Sequence, residues 1–156
     1  AYHRVEELTG IKFGEDYLWH IRNPIESDWF PHSEKAAIAL SIFKEIYPEL
    51  QVQFAADLQY ALHYEGRDLT DDEAYRHLLE NYKIDAESFY TKLKSEEYKE
   101  KAHYEFSLCK QLQVTGFPAV LLQIGETKFY LVARGYATYE DIEARIENIL
   151  KEVNAG

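Results

Sequence analysis

Val114-Thr115-Gly116-Phe117-Pro118-Ala119-Val120-Leu121-Leu122 carries no charge and turns apolar directly after an X-Pro bond. Proline has no amide hydrogen to give to a ladder, so within sheets it is confined to edges, bulges and first positions. Pro118 is therefore expected to open a strand over 119–124 and to hold Phe117 extended. A second strand is expected over 128–132, after the turn Gly125-Glu126-Thr127. Thr138 is placed to cap a last helix over 139–152, with Ile142, Ile146 and Ile149 facing inward. The run Ala119–Leu122 reads as buried on both faces, as central or parallel strands are. Two strands alone are marginal in water, and nothing in residues 1–113 reads as a strand. Partner strands are expected from residues outside this sequence or from another chain.

Upstream the pattern is helical. Residues 1–9 read as a helix stopped by Gly10, and 11–32 as irregular around Trp19, Pro24, Trp29 and Pro31, with room for one short helix. Ser33 is a candidate cap for a helix over 34–47, with Ala37, Leu40, Ile42, Phe43 and Ile46 as its apolar face and Pro48 as its stop. Phe54, Leu58, Ala61 and Leu62 predict a helix over 51–64 that ends before Gly66. Thr70 and Glu73 have the spacing of a capping box and predict a helix to Tyr82. Asp85 would cap a short helix over 86–93. Ser95, followed by the acids Glu96 and Glu97, would open another to Leu112, with Ala102, Phe106, Cys109 and Leu112 on one side. The reading divides the chain into a helical part, 1–113, and a strand–strand–helix part, 114–156.

The chain has 13 Tyr, 8 Phe and 2 Trp in 156 residues, enough apolar material for a packed core and against disorder. Its 17 Lys and Arg against 28 Asp and Glu leave a net charge of −11. Such a surface repels phosphate backbones and anionic lipid, so neither nucleic acid nor a membrane is an expected partner. No stretch approaches the ~20 apolar residues of a membrane span. The lack of Met and a start that already reads as helix fit an excised segment.

Cys109 is the single cysteine, which excludes an internal disulfide and a C-x-x-C pair within these residues. Among helical neighbours it reads as a small buried hydrophobe. The adjacent Lys110 points elsewhere on a helix and would not activate it. The histidines show no H-E-x-x-H and no paired C-x-x-C, so no metal site is expected. Asp68, Asp71, Asp72 and Glu73 lack the register of a calcium loop and read as capping residues. Tyr17, Trp19, Trp29 and Phe30 read as the packing of a long loop rather than as a groove lining.

Several segments recur in an order that resembles a known family. They are Leu8-Thr9-Gly10-Ile11-Lys12-Phe13, then Ser27-Asp28-Trp29 followed by Ala36-Ala37, then Leu58-Gln59-Tyr60-Ala61 and Tyr64-Glu65-Gly66-Arg67-Asp68-Leu69-Thr70. Val114-Thr115-Gly116-Phe117-Pro118 with Gly135-Tyr136 completes the set. Together they resemble the DsbA-like thioredoxin-fold proteins, in particular the cytosolic branch of predicted dithiol–disulfide isomerases near FrnE. The resemblance implies an α+β, α/β-type thioredoxin-like fold, here partial, with a large inserted all-helical domain over 1–113. Residues 114–156 would be the C-terminal half of the thioredoxin-like domain.

In that family a C-x-x-C thiolate attacks a substrate disulfide, and a cis-proline loop opposite the cysteines pairs with extended substrate. Carried over, Thr115, Gly116, Phe117 and Pro118 would be substrate-binding residues, with the Phe117–Pro118 bond cis. No catalytic residue is expected within the chain, because the N-terminal strand and C-x-x-C helix are absent from it. The chain would be a portion of a disulfide oxidoreductase or isomerase of the bacterial cytoplasm and inactive alone. It would need no cofactor, its partner would be a protein or small thiol or disulfide, and it would self-associate through its strand edge. The alternatives are a relative of kappa-class glutathione transferases and 2-hydroxychromene-2-carboxylate isomerases, or a non-catalytic binding module. The residues preceding Ala1 discriminate them: C-x-x-C, a lone Ser, or neither.

Overall fold

The computed structural model describes all 156 residues, Ala1–Gly156. The chain divides into two units, Ala1–Glu105 and Phe106–Gly156. The first is helical throughout, as its three- and four-residue apolar spacing dictates. Helices α1 (Tyr2–Thr9) and α2 (Glu15–Arg22) precede α3 (Glu34–Ile46), and a 3₁₀ turn at Pro48–Leu50 leads into α4 (Gln51–His63). A second 3₁₀ turn, Asp72–Tyr75, precedes α5 (Arg76–Asn81), α6 (Ala86–Leu93) and α7 (Glu96–Gln111). Helix α7 passes from the first unit into the second.

The core of the first unit is built from Ile38, Ile42, Phe43, Phe54, Leu58, Tyr75, Leu78, Leu79, Phe89 and Leu93. Phe43 and Phe54 stack with ring centroids 4.1 Å apart, and Tyr82 sets its edge on Phe43 at 4.8 Å. Two of the tyrosine hydroxyls drawn in with these rings find backbone acceptors, whereas the buried Ser41 and Tyr90 hydroxyls have none. The fully buried Tyr75 donates its hydroxyl to the Leu69 carbonyl at 2.7 Å, and Tyr47 donates to the Tyr82 carbonyl at 3.0 Å.

Several caps differ from the sequence reading. Ser33 does not cap α3, because its φ of −82° and ψ of −11° are helical rather than extended. His32 Nδ1 instead accepts the Glu34 amide at 3.2 Å. The Thr70–Glu73 box does not form. Thr70 Oγ1 donates to Asp68 Oδ1 at 2.7 Å, and Asp71 Oδ1 accepts the Glu73 amide at 3.1 Å. The Glu73 carboxylate is held by the Arg76 fork, with Nε at 2.6 Å and Nη2 at 2.9 Å, a stronger pairing than a backbone amide offers. The single helix expected up to Tyr82 is accordingly a 3₁₀ turn followed by α5.

Asp85 accepts the Ser88 amide at 2.8 Å and caps α6 as expected. The buried face of α3 is Ile38, Ala39, Ser41, Ile42 and Phe43, while Ile46 is exposed. On α7 only Tyr98 and Ala102 are buried. Phe106 is exposed and Cys109 half-buried, since only the N-terminal half of that helix enters the core of the first unit.

The second unit is an antiparallel hairpin backed by a helix. Strand β1 (Ala119–Ile124) pairs with β2 (Lys128–Arg134), and no strand forms upstream. The ladder is irregular. Val120 faces Ala133 but Leu121 faces Leu131, so Val132 is an extra residue without a partner in β1. Its freed carbonyl accepts Arg145 Nη1 at 2.9 Å, which ties the bulge to α8 (Tyr139–Ala155). Thr138 Oγ1 accepts the Asp141 amide at 3.1 Å and opens α8. Ile142, Ile146 and Ile149 form the expected stripe, but each is half-buried.

Candidate functional site

The loop between α7 and β1 is fixed at both ends by backbone bonds. Gln113, at φ 58°, ends the helix in a left-handed conformation, and its amide reaches the Lys110 carbonyl at 3.0 Å. The Val114 amide returns to the Cys109 carbonyl at 2.9 Å. At the far end the Pro118 carbonyl accepts the Gly135 amide at 2.8 Å, which joins the loop to the end of β2. Gly135 has φ 80°, a conformation that glycine adopts at little cost. The Phe117–Pro118 peptide is cis.

Between these anchors the candidate substrate residues Thr115, Gly116, Phe117 and Pro118 lie exposed and contiguous. Phe117 presents 80% of its surface to solvent. A Cβ built on Gly116 would touch nothing within 4 Å, so the loop leaves open space beside it.

Thr115 and Gly116 also line a groove of about 400 Å³ on one face of the hairpin, whereas Phe117 and Pro118 do not. Leu112, Val114, Leu121, Phe129 and Arg134 are among its other lining residues. The sequence reading did not single out Arg134. Strict alternation from Phe129 would place Arg134 on the opposite face, and only the bulge at Val132 turns it inward.

The remaining chemistry-bearing residues stand apart. Cys109 is a free thiol, and no group of three or more His, Cys, Asp or Glu converges as a metal would need. His63 packs edge-on against Tyr17 at 5.0 Å and Phe13 at 5.5 Å, and burial pushes its imidazole below the usual histidine range. Trp29 stacks on His20 at 4.1 Å and meets Tyr17 at 5.9 Å, so these rings pack the long loop. Trp19 and Phe30 are exposed. The acids of 68–73 serve as caps and ion pairs. Asp72 binds Lys35 at 2.7 Å and Lys94 at 3.3 Å, and the Lys35 hydrogen bond holds its carboxyl below the usual range. No helix is long and apolar enough to cross a membrane.

Residues 28–147 match the family model of the DSBA-like thioredoxin domain. The chain belongs to that family. Its fold is the thioredoxin-like DsbA fold, helix-dominant with a two-stranded antiparallel sheet and a C-terminal helix.

This DsbA-like chain is similar in structure to a candidate protein disulfide isomerase from Nitrosomonas europaea. The TM-score is 0.85 at 24% identity, over 97% of this chain and 71% of that one. It is also similar to the cytosolic disulfide reductase DsbM from Pseudomonas aeruginosa, solved with GSH, with a TM-score of 0.68 at 24% identity. That match covers 95% of this chain and 72% of DsbM. At these identities the likeness is one of fold. A comparison with curated protein sequences gave no match.

Proposed function

We propose that this chain supplies the helical domain and the substrate-side loop of a DsbA-like thiol–disulfide oxidoreductase or isomerase. In this reading residues 1–113 are the helical insertion and 114–156 the C-terminal half of the thioredoxin-like domain. The loop Thr115–Pro118 receives an extended protein segment or small disulfide, to which it offers backbone hydrogen bonds and the Phe117 ring. The observation that carries the reading is Phe117, an aromatic ring 80% exposed at the mouth of an anchored loop. Membership of the DsbA-like family supports it. With one cysteine in the sequence, the redox dithiol does not come from these residues.

Binding of a fluorescein-labelled, unfolded, disulfide-containing peptide tests the proposal by anisotropy. Phe117→Ala weakens capture about threefold to tenfold, the worth of one exposed aromatic contact. Val52→Ala, which removes another exposed apolar side chain, on α4, leaves it unchanged. Equal binding by wild type and Phe117→Ala would refute the assignment of the loop.

A further inference from the structure

We propose that the cavity between α3 and the start of α6 binds a small monocarboxylate with a short aliphatic chain, held through Lys83 and Lys92. The site goes beyond the reading of Thr115–Pro118 and shares no residue with it.

The cavity has a volume of about 190 Å³ and lies wholly within the first unit. Its apolar lining is Ile42 and Ile46 of α3, Ile84 of the loop before α6, and Phe89 of α6. Ile42 and Phe89 are fully buried core residues, so the cavity reaches the core. Its polar lining is Lys83, Asp85, Ser88 and Lys92. Two ammonium groups against one carboxylate make this lining positive in a chain of net −11. The carboxylate is already engaged, since Asp85 Oδ2 accepts the Ser88 amide at 2.8 Å as the α6 cap. The lysines are not. Although the chain has 28 acidic residues, neither Lys83 nor Lys92 forms an ion pair. Lys92 stands over the Tyr98 ring at 5.6 Å, and the neighbouring Glu45 is taken up by Tyr98 and Lys101.

The backbone at Lys83 is a second observation. Its φ of 55° is left-handed, the conformation that glycine or asparagine ordinarily supplies after a helix. A lysine there is strained, and such strain persists where the surroundings fix it, often at functional positions. The turn is fixed by the Ile84 amide on the Leu79 carbonyl at 2.9 Å and by the Lys83 amide on the Glu80 carbonyl at 3.2 Å.

Size and charge set the ligand class. The volume is that of about six water molecules at ~30 Å³ each, which suits a chain of a few carbons and is too small for a peptide. The isoleucines and Phe89 take the chain, while the two ammonium groups and the Ser88 hydroxyl take the carboxylate. A surface of net −11 repels anything of higher negative charge.

The probes are hexanoate, its neutral isostere hexanamide, and acetate, titrated at pH 7 and constant ionic strength into the isotopically labelled full chain. Hexanoate is expected to shift the Ile42, Ile46 and Ile84 methyls and the Ser88 amide saturably, with a Kd of about 1 mM. Hexanamide binds about tenfold more weakly, and acetate, which lacks the chain, does not saturate. Lys83→Gln and Lys92→Gln each weaken hexanoate about threefold to tenfold, and the double variant removes its advantage over hexanamide. Lys83 is exposed and Lys92 half-buried, and an unaltered helical spectrum verifies the folds. Lys83→Gly separates binding from folding, because it relieves the φ of 55° and raises the urea midpoint while weakening hexanoate as Lys83→Gln does. No saturable hexanoate binding, equal binding of hexanoate and hexanamide, or full binding by the double variant would each overturn the proposal. Acetate binding as tightly as hexanoate would do so too, by showing an adventitious ion only. Phe117→Ala binds hexanoate as the wild type does, so failure here leaves the peptide-capture reading standing, and the reverse.

Discussion

Replacing Gly14 by Ala tests how the N-terminal helices are held to the end of α4. A Cβ at Gly14 would lie 1.7 Å from the Tyr64 carbonyl oxygen and 2.7 Å from its carbon, against 3.4 Å or more for ordinary contact. Both groups are backbone, so no rotamer relieves the overlap and the Gly14 segment must move. The displacement breaks the hydrogen bond from the Gly14 amide to the His63 carbonyl at 2.9 Å, a loss of about 1 kcal/mol. It also pulls Phe13 and Tyr17 away from His63, now at 5.5 and 5.0 Å, at roughly 0.5–1.5 kcal/mol per aromatic pair. The sum is about 3 kcal/mol. With a urea dependence of about 2 kcal/mol per molar, the midpoint falls by roughly 1.5 M. Trp19 and Trp29, the two tryptophans of the chain, both lie in the first unit, so their fluorescence reads the transition. Gly116→Ala, where the added methyl touches nothing, is the control and shifts the midpoint little. A Gly14→Ala chain with the wild-type midpoint would refute the close approach.

Four further outcomes are expected. Stability falls as pH drops from about 7 to 5, because unfolded His63 titrates near 6.5 while burial holds the folded imidazole neutral to lower pH; urea midpoints across that range, flattened in His63→Phe, check this. The carboxyls of Glu45 and Asp72, each held low by hydrogen bonds to lysine, contribute stability above about pH 4.5 that is lost as pH falls further, seen as a second, more acidic decline. Phe54→Ala, at a fully buried ring stacked on Phe43, costs about 3–5 kcal/mol by denaturant titration. Insulin turbidity with dithiothreitol shows no rate above background for the chain alone, and a Cys109-dependent rate would contradict that expectation.

The helical periodicities were legible because burial repeats with the turn: Phe54, Leu58 and Ala61 all lie in the core. The hairpin was legible because Pro118 and Gly125 bound a short apolar run. Caps were less so. Ser33 and Thr70 are residue types that suit an N-cap, but cap formation depends on φ and ψ and on competing partners such as Arg76, neither of which spacing encodes. The groove charge was hidden for a related reason. Alternation places side chains only while the ladder is regular, and Val132 interrupts it through a pairing that no local pattern announces.

That interruption also loosens the link between the length of β2 and the direction its residues face. In a regular strand, one residue gained or lost turns everything beyond it over. At Val132 the surplus residue is already absorbed, so excising it would leave Leu131 and Arg134 on the sides they now occupy, while removing the carbonyl held by Arg145 and a side chain that is 2% exposed. Position 132 is therefore the point in the hairpin where a one-residue length change does not invert the far end of the strand.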